Sequence, residues 1–214
     1  MGRQMYDETG ALYLPPGAGR IHFSRQEILQ MLIAVAALSF AFFMIMIPAN
    51  ASTYALLFFA SVSTVAVLTG FLMHEMAHKF VAQRYGAWAE FRIFPLGLLM
   101  AVVFSFMGFV FAAPGAVYIN GRLTKLQNGL VSLMGPGLNL SLGAAMMFVG
   151  IALPLTDLTL AIYLIGRINI FLALFNLLPI PPLDGYKVAT WNIGVYIVVM
   201  GASVVLFLFS MGII

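Results

Sequence analysis

The sequence has 214 residues, of which 63% are hydrophobic and 8% are charged, and its formal net charge is +3. A soluble domain is about half apolar and roughly a quarter charged, so this composition excludes an ordinary globular protein and a disordered chain. The ten basic residues are scattered and form no basic stripe, which excludes a nucleic-acid-binding protein. The remaining class is an integral membrane protein without cysteine, and therefore without disulfides or thiolate metal ligands.

A polar tail and two membrane spans are predicted at the start of the chain. Residues 1–25 lack an apolar helical period, so we expect an exposed tail there. Ser24 and Glu27 fit a capping box, in which Ser24 caps the first helix and Glu27 reaches back to the Ser24 amide. Apolar runs then predict spans over about 28–47 and 53–80, because roughly 20 residues cross the hydrocarbon core.

The next segment, 91–118, is apolar but is interrupted by glycine and proline. The interrupting residues are Pro95, Gly97, Gly108, Pro114 and Gly115. Irregular backbone is allowed at membrane depth where protein or a cavity covers it, so these residues favour a re-entrant, membrane-embedded hairpin.

Three further spans follow the hairpin. Thr124 and Gln127 form a second capping box, and the spans are expected over about 126–153, 158–178 and 188–213. The prolines at 179–182 must end the fourth span, because proline lacks the amide that a helix needs. The predicted fold is an all-α polytopic membrane protein with about five transmembrane helices plus the re-entrant hairpin; the alternative is six transmembrane helices.

One motif indicates metal chemistry. His74, Glu75 and His78 form an H-E-x-x-H pattern. On a helix, residues four apart share a face, so both imidazoles reach one metal ion while Glu75 lies beside them to activate water. Ionisable groups within a spanning segment are costly and usually functional, which favours a metal site over two histidines that merely face lipid headgroups.

A catalytic zinc site needs a third protein ligand, and without cysteine we expect a carboxylate. Asp184 follows the proline-rich break, where broken backbone places a carboxylate in a cavity. The alternative for Asp184 by itself is a turn or helix-cap residue. The other candidates are weaker. Asp7 and Glu8 lie in the tail, and Glu27 caps a helix. Glu90 is expected in a polar loop, and Asp157 in a turn where it caps the next helix.

Membrane topology tests this assignment independently. His78 and Asp184 meet one ion only if segment 91–118 makes no net crossing. In that arrangement both opposite loops, around Asn50 and Asp157, lack Lys and Arg. The other side then carries nine basic residues: Arg3, Arg20, Arg25, Lys79, Arg84, Arg92, Arg122, Lys125 and Lys187. By the positive-inside rule, residues 1–25 are a cytoplasmic tail and the site lies toward the cytoplasmic side of the cell membrane.

Arg167 is the exception, because it lies within the fourth predicted span. It is expected to snorkel, to bridge to a carbonyl or to occupy a polar cavity. We interpret it as a structural residue without a chemical role.

Two motifs together resemble the signatures of the site-2 protease family of intramembrane zinc metallopeptidases. They are His74-Glu75-Met76-Ala77-His78 and Asn176-Leu177-Leu178-Pro179-Ile180-Pro181-Pro182-Leu183-Asp184-Gly185. Gly135-Pro136-Gly137-Leu138-Asn139 is similar to the G-P-x-x-N that opens the family's middle core helix. The resemblance covers about residues 69–185.

The resemblance implies one zinc ion per chain, with His74, His78 and Asp184 as ligands and Glu75 as the catalytic glutamate. It also implies that Asn176 and the break at Pro179 and Pro181 belong to the substrate-facing cleft. Residues 26–214 would then form the minimal metallopeptidase domain, in which we expect neither a PDZ-like nor a CBS-like nucleotide-sensing domain.

The expected activity is hydrolysis of a peptide bond within a transmembrane segment of a membrane protein, as in regulated intramembrane proteolysis. The expected partners are a transmembrane substrate and the lipid bilayer, and the sequence leaves the oligomeric state open. The main alternative is a membrane metal transporter with a His/Asp transit site. Transport needs ligands along a path open to both faces, whereas these polar residues cluster toward one face.

Overall fold

The fold is described by a computed structural model that covers residues 21–110 and 114–213; residues 1–20 of the predicted tail lie outside the described part. The helices and strands run in the order α1 (Arg25–Met46), α2 (Thr53–Val67), α3 (Met73–Arg84), β1 (Trp88–Ile93), α4 (Pro95–Ser105), β2 (Gly115–Asn120), α5 (Lys125–Ala152), α6 (Asp157–Asn176), α7 (Asp184–Trp191) and α8 (Ile193–Ser210). A π-helical turn, Leu68–Leu72, joins α2 to α3.

Five helical segments of the described chain are long and apolar enough to cross a membrane. They are α1, the continuous α2–α3 segment, α5, α6 and α8. The predicted all-α polytopic membrane fold is confirmed. The last predicted span began too early, because Val188 lies in the separate short helix α7. Asn192 has extended backbone and accepts a hydrogen bond from the Val195 amide (3.1 Å), so the chain restarts there as α8.

The interrupted segment contains both strand and helix. Strands β1 and β2 pair antiparallel, with Trp88 opposite Asn120 and Ile93 opposite Gly115. Helix α4 begins at Pro95, a residue suited to the first turn because its missing amide has no partner there. Because Trp88 and Asn120 lie side by side, the chain enters and leaves the segment at one place, as the re-entrant prediction requires.

The helix starts follow the predicted capping chemistry in part. Thr124 and Gln127 form the predicted capping box at α5. Ser24 Oγ accepts from the Glu27 amide (3.0 Å). The Glu27 carboxylate does not accept from the Ser24 amide, so the predicted capping box is incomplete. Asp157 is not the cap of α6, because the preceding Thr156 takes that position.

The Glu27 carboxylate instead lies in the interior, opposite Lys79 of α3. Both side chains are fully buried, and Lys79 Nζ donates to the two carboxylate oxygens at 2.7 and 2.6 Å. Glu27 Oε1 also accepts from the Phe91 amide of β1 (2.9 Å). Since a buried charge needs a partner, one ion pair fastens α1, α3 and β1 together.

The main hydrophobic core lies beside this ion pair. It joins apolar residues of α1, the π-helical turn, β1, α4 and α6, among them Leu38, Phe71, Phe91, Ala101 and Leu172. The core therefore holds the hairpin against α1 and α3, which positions the polar residues described next.

Candidate metal centre

Helix α3 presents two histidines on one face. His74 and His78 are one turn apart, are 3% and 6% exposed, and have their Nε2 atoms 3.0 Å apart. Their edge-to-face rings direct both Nε2 atoms to the same point, as expected for residues four apart on a helix.

Asp184, the first residue of α7, lies at that point. Its Oδ2 atom is 3.3 Å from Nε2 of His74 and 2.9 Å from Nε2 of His78. The chain reaches this position through turns after α6, where the prolines prevent the helix from continuing. Thus the two sequence motifs, far apart along the chain, meet in the folded protein.

The donor set fits a catalytic zinc ion. The metal-binding atoms of His74, His78 and Asp184 lie within 4.8 Å of one another, and all three residues are buried. Two imidazole nitrogens and a carboxylate oxygen are one of the donor sets of catalytic zinc, which keeps a further position open. These three residues could therefore hold one metal ion.

Groups behind the histidines orient their rings. His78 Nδ1 lies 2.7 Å from the Val131 carbonyl oxygen, and His74 Nδ1 lies 3.2 Å from Nδ2 of the buried Asn139. Asn139 Nδ2 also donates to the Gly70 carbonyl (2.9 Å). In a metal-binding histidine the far ring nitrogen donates a hydrogen bond that fixes the ring, as His78 Nδ1 can do to the Val131 carbonyl. Asn139 belongs to the motif Gly135–Asn139, but spacing along the chain does not predict its contact with His74.

Gly135 of α5 lets the backbone approach both imidazoles. A Cβ atom built there would lie 2.6 Å from Nε2 of His74, closer than side-chain contacts allow. The neighbouring Gly137 has nothing within 4 Å of such an atom. Gly135 therefore sets the depth of the site from the α5 side.

Glu75 lies beside the histidines, on the next position of α3. It is 9% exposed, and its Oε2 accepts a hydrogen bond from the Val117 amide of β2 (3.0 Å). The re-entrant hairpin thus holds the candidate general base. The sequence predicted both the hairpin and Glu75 but not their contact.

Asp184 also contacts a cation on its outer side. Lys187 Nζ lies 3.3 Å from Asp184 Oδ1, the oxygen that faces away from the histidines. Burial disfavours the charged carboxylate, but the imidazoles of His78 and His74 outweigh it and hold the pKa of Asp184 well below its ordinary value.

A cavity of about 760 Å³ opens onto these residues. His74, Glu75, His78 and Asp184 line it, together with residues of both strands and of α5 and α6. Of the predicted cleft residues, Asn176 and Pro181 belong to the lining, whereas Pro179 does not. The Asn176 side chain donates to the Leu172 carbonyl (3.0 Å) within α6.

The remaining carboxylates of the described chain lie away from the centre. Glu90 is on strand β1 and not in a loop; it binds Arg92 and the Ser24 hydroxyl. Asp157 accepts from the Tyr54 hydroxyl. Asp7 and Glu8 lie outside the described residues.

Three curated proteins, all named as putative zinc metalloproteases, are similar to this chain. MJ0611 of Methanocaldococcus jannaschii is 40% identical over 79% of this chain and 86% of that protein. YwhC of Bacillus subtilis is 32% identical over 58% of this chain and 65% of its own length. Rip2 of Mycolicibacterium smegmatis is 32% identical over 57% and 55% of the two chains. No family model and no solved structure matches the chain.

Proposed function

The chain belongs to the site-2 protease-like family of zinc metalloproteases, and from this premise we propose that it cuts peptide bonds within transmembrane segments of other membrane proteins. It is a zinc metalloendopeptidase with membrane-spanning helices. The observation that carries the proposal is the position of Glu75, His74 and His78 within the membrane-span segment α2–α3. A metalloprotease centre on such a segment is suited to substrates that are themselves in the bilayer.

In this proposal His74, His78 and Asp184 hold the zinc ion. When bound, zinc polarises a scissile carbonyl and makes a water molecule more acidic. The Val131 carbonyl keeps the His78 imidazole oriented, Asn139 contacts the His74 ring, and Lys187 restrains the outer oxygen of Asp184.

Glu75 acts as the general base and then as the general acid. Its carboxylate takes a proton from the attacking water and delivers that proton to the leaving amine of the substrate. The Val117 amide holds one carboxylate oxygen, which leaves the other oxygen of Glu75 toward the cavity for proton transfer.

The cleft accommodates an unwound substrate. A transmembrane helix hides its carbonyl groups in its own hydrogen bonds, so the substrate must locally unwind before a peptide bond is accessible. The cavity of about 760 Å³ has room for several residues of extended peptide. We assign Asn176 and Pro181, which line the cavity, to substrate binding, with the Asn176 amide as a donor for the substrate backbone.

The proposed location is the cell membrane, with the metal centre toward the cytoplasm and residues 26–214 forming the metallopeptidase domain. Arg84 ends α3, Arg122 and Lys125 precede and begin α5, and Lys187 lies on α7. These positions are at the metal-centre end of the spans, which supports this orientation by the positive-inside rule.

The Glu75→Gln variant tests the proposal. The purified protein in lipid vesicles is incubated with single-span transmembrane peptides, and cleavage products are identified by mass spectrometry. We expect wild type to cut within the span and Glu75→Gln to lose roughly 10²–10⁴-fold in rate while it retains its zinc.

Glu90→Gln is the matched control, because Glu90 is a buried glutamate away from the metal centre. It should keep most of the cleavage activity. Unimpaired cleavage by Glu75→Gln would contradict the mechanism. A variant that instead carries zinc across the vesicle membrane at the wild-type rate would favour the transporter alternative, which the comparisons do not favour.

A further inference from the structure

Arg167 is a cation in the middle of a membrane-span helix. It is the eleventh residue of α6 (Asp157–Asn176) and has no hydrogen bond or ion pair within residues 21–110 and 114–213. Its guanidinium lies 6.0 Å from the centre of the Tyr163 ring. A guanidinium stays charged in proteins, and a charge at this depth is expensive unless it faces a partner or a cavity.

Every described carboxylate is engaged elsewhere. Glu27 binds Lys79, and Glu75 and Asp184 belong to the metal centre. Glu90 binds Arg92, and Asp157 binds Tyr54. The described part of the chain thus offers Arg167 no counter-ion, which leaves its guanidinium available to an anion on another molecule.

Arg167 lines a second cavity, of about 540 Å³. It is the single charged residue in a lining that is otherwise apolar apart from Ser210. Phe42, Val110 and Phe171 line both this cavity and the metal-centre cavity, so the two spaces adjoin. A segment that occupies the metal-centre cavity therefore has a path to Arg167.

A transmembrane substrate suits this position better than a lipid headgroup. Arg167 is about 15 Å from the start of α6 and about 14 Å from its end at 1.5 Å per residue, whereas phosphate groups remain at the membrane surface. The anion that reaches this depth on a protein chain is an Asp or Glu side chain. A carboxylate matches the guanidinium in charge and in its two-pronged geometry.

We propose that Arg167 is a specificity residue that selects substrates with an acidic side chain inside their transmembrane segment. Asn176 lines the metal-centre cavity and is nine residues beyond Arg167 on α6. That distance corresponds to roughly four residues of extended substrate or nine of helix between the cut bond and the acid. The acid lies in the part of the substrate that runs from the cut bond toward the membrane face opposite the metal centre. This inference rests on the proposed function and replaces the purely structural role expected for Arg167.

The test measures binding and cleavage with one peptide set. Single-span peptides carry Asp, Asn or Lys at each successive position of the span, in phosphatidylcholine vesicles with and without phosphatidylglycerol. Binding is measured with Glu75→Gln protein, and cleavage is measured with active protein. Each assay compares the chain that retains Arg167 with the Arg167→Met and Arg167→Glu variants. Leu160→Met, at an exposed α6 position outside both cavities, is the control.

We expect Asp peptides with the acid in the stated window to bind and to be cut at least tenfold better than Asn peptides. Arg167→Met should reduce that ratio below twofold, Arg167→Glu should shift the preference to Lys, and Leu160→Met should keep the wild-type ratio. Equal binding of Asp and Asn peptides to Glu75→Gln protein with Arg167 intact would overturn the inference. So would an effect of Arg167 that follows only the phosphatidylglycerol content.

The two proposals fail in different ways. Cleavage within the span without an acidic preference removes the role of Arg167 and leaves the protease function. Arg167-dependent binding without any cleavage by the active protein would remove the protease function and leave the role of Arg167 in binding.

Discussion

At the scale of single residues, the metal centre depends on a position that has no side chain. Gly135 of α5 lies against the Nε2 edges of His74 and His78, so the missing Cβ is what gives the imidazoles their space. Helix propensity alone would favour alanine there, because glycine in a helix interior is destabilising. The constraint at Gly135 therefore comes from the site and not from the helix.

Gly135→Ala should impair the metal centre selectively. The added Cβ lies 2.6 Å from Nε2 of His74, and the ring must move to avoid it. We expect a loss of roughly 10–100-fold in zinc affinity, the range seen when metal ligands are misoriented. Zinc content by elemental analysis and peptide cleavage measure the effect.

Gly137→Ala is the matched control, because a Cβ at Gly137 meets nothing within 4 Å. It should retain full zinc and activity and gain slight helix stability. Equal zinc affinities in the two alanine variants would contradict the packing role of Gly135.

Local spacing explains which site residues the sequence could predict. His74, Glu75 and His78 share one helix, so their relative position follows from the helical repeat alone. Asp184 was predicted from its place after the proline-rich break and by elimination of five weaker carboxylates, because no local repeat connects it to the histidines. The contact between Asn139 and His74 depends on how α5 packs on α3, and spacing along the chain carries no information about that.

At the scale of elements, the Glu27–Lys79 pair connects the start of α1 with α3 and β1. Phe91 of β1 lies opposite Val117 of β2 in the hairpin. The Phe91 amide donates to Glu27, and the Val117 amide donates to Glu75. The hairpin therefore connects α1 to Glu75, the candidate general base, through the amides of two paired residues.

Removal of one partner of this ion pair should destabilise the fold strongly. Glu27→Leu or Lys79→Met alone leaves an uncompensated buried charge, which costs about 3–5 kcal/mol in the free energy of unfolding. The double variant removes both charges and should recover most of that loss. Unfolding in mixed detergent micelles, followed by circular dichroism, gives the values.

Arg92→Met is the control for this prediction. The Arg92–Glu90 pair is partly exposed, and such pairs contribute about 0–1 kcal/mol. If the double variant were as unstable as either single variant, the charge explanation would be wrong and lost packing would be the cause.

The elements themselves were largely readable from hydropathy, because a run of about 20 apolar residues has few folded alternatives. The misplaced start of the last span has a specific cause. Residues 188–191 are apolar enough to extend a span. The Asn192 side chain, however, caps the N-terminus of α8, so the apolar run is split between α7 and α8. Glu27 was misassigned because its partner Lys79 is 52 positions away, beyond any local pattern.

At the scale of the whole molecule, the membrane topology is testable without any background labelling, since the chain has no cysteine. Single cysteines at Tyr85, Leu126 and Leu155 mark the end of α3, the start of α5 and the α5–α6 loop. Because the hairpin returns to its entry point, cysteines at 85 and 126 should react with a membrane-impermeant maleimide from the same face.

The cysteine at 155 should react from the opposite face, and it is well placed because Leu155 is 84% exposed. In inside-out vesicles we expect labelling at 85 and 126 but not at 155. Labelling of 85 and 126 from different faces would mean that segment 91–118 crosses the membrane, the six-helix alternative.

The spread of the donor atoms along the chain has an effect during synthesis. A ribosome adds about 5–20 residues per second, so His74 and His78 enter the membrane several seconds before Asp184 is made. Until α7 emerges, the growing chain holds two imidazoles and no carboxylate to complete the donor set. We therefore expect no hydrolysis by the growing chain until Asp184 has been synthesised and α7 has folded.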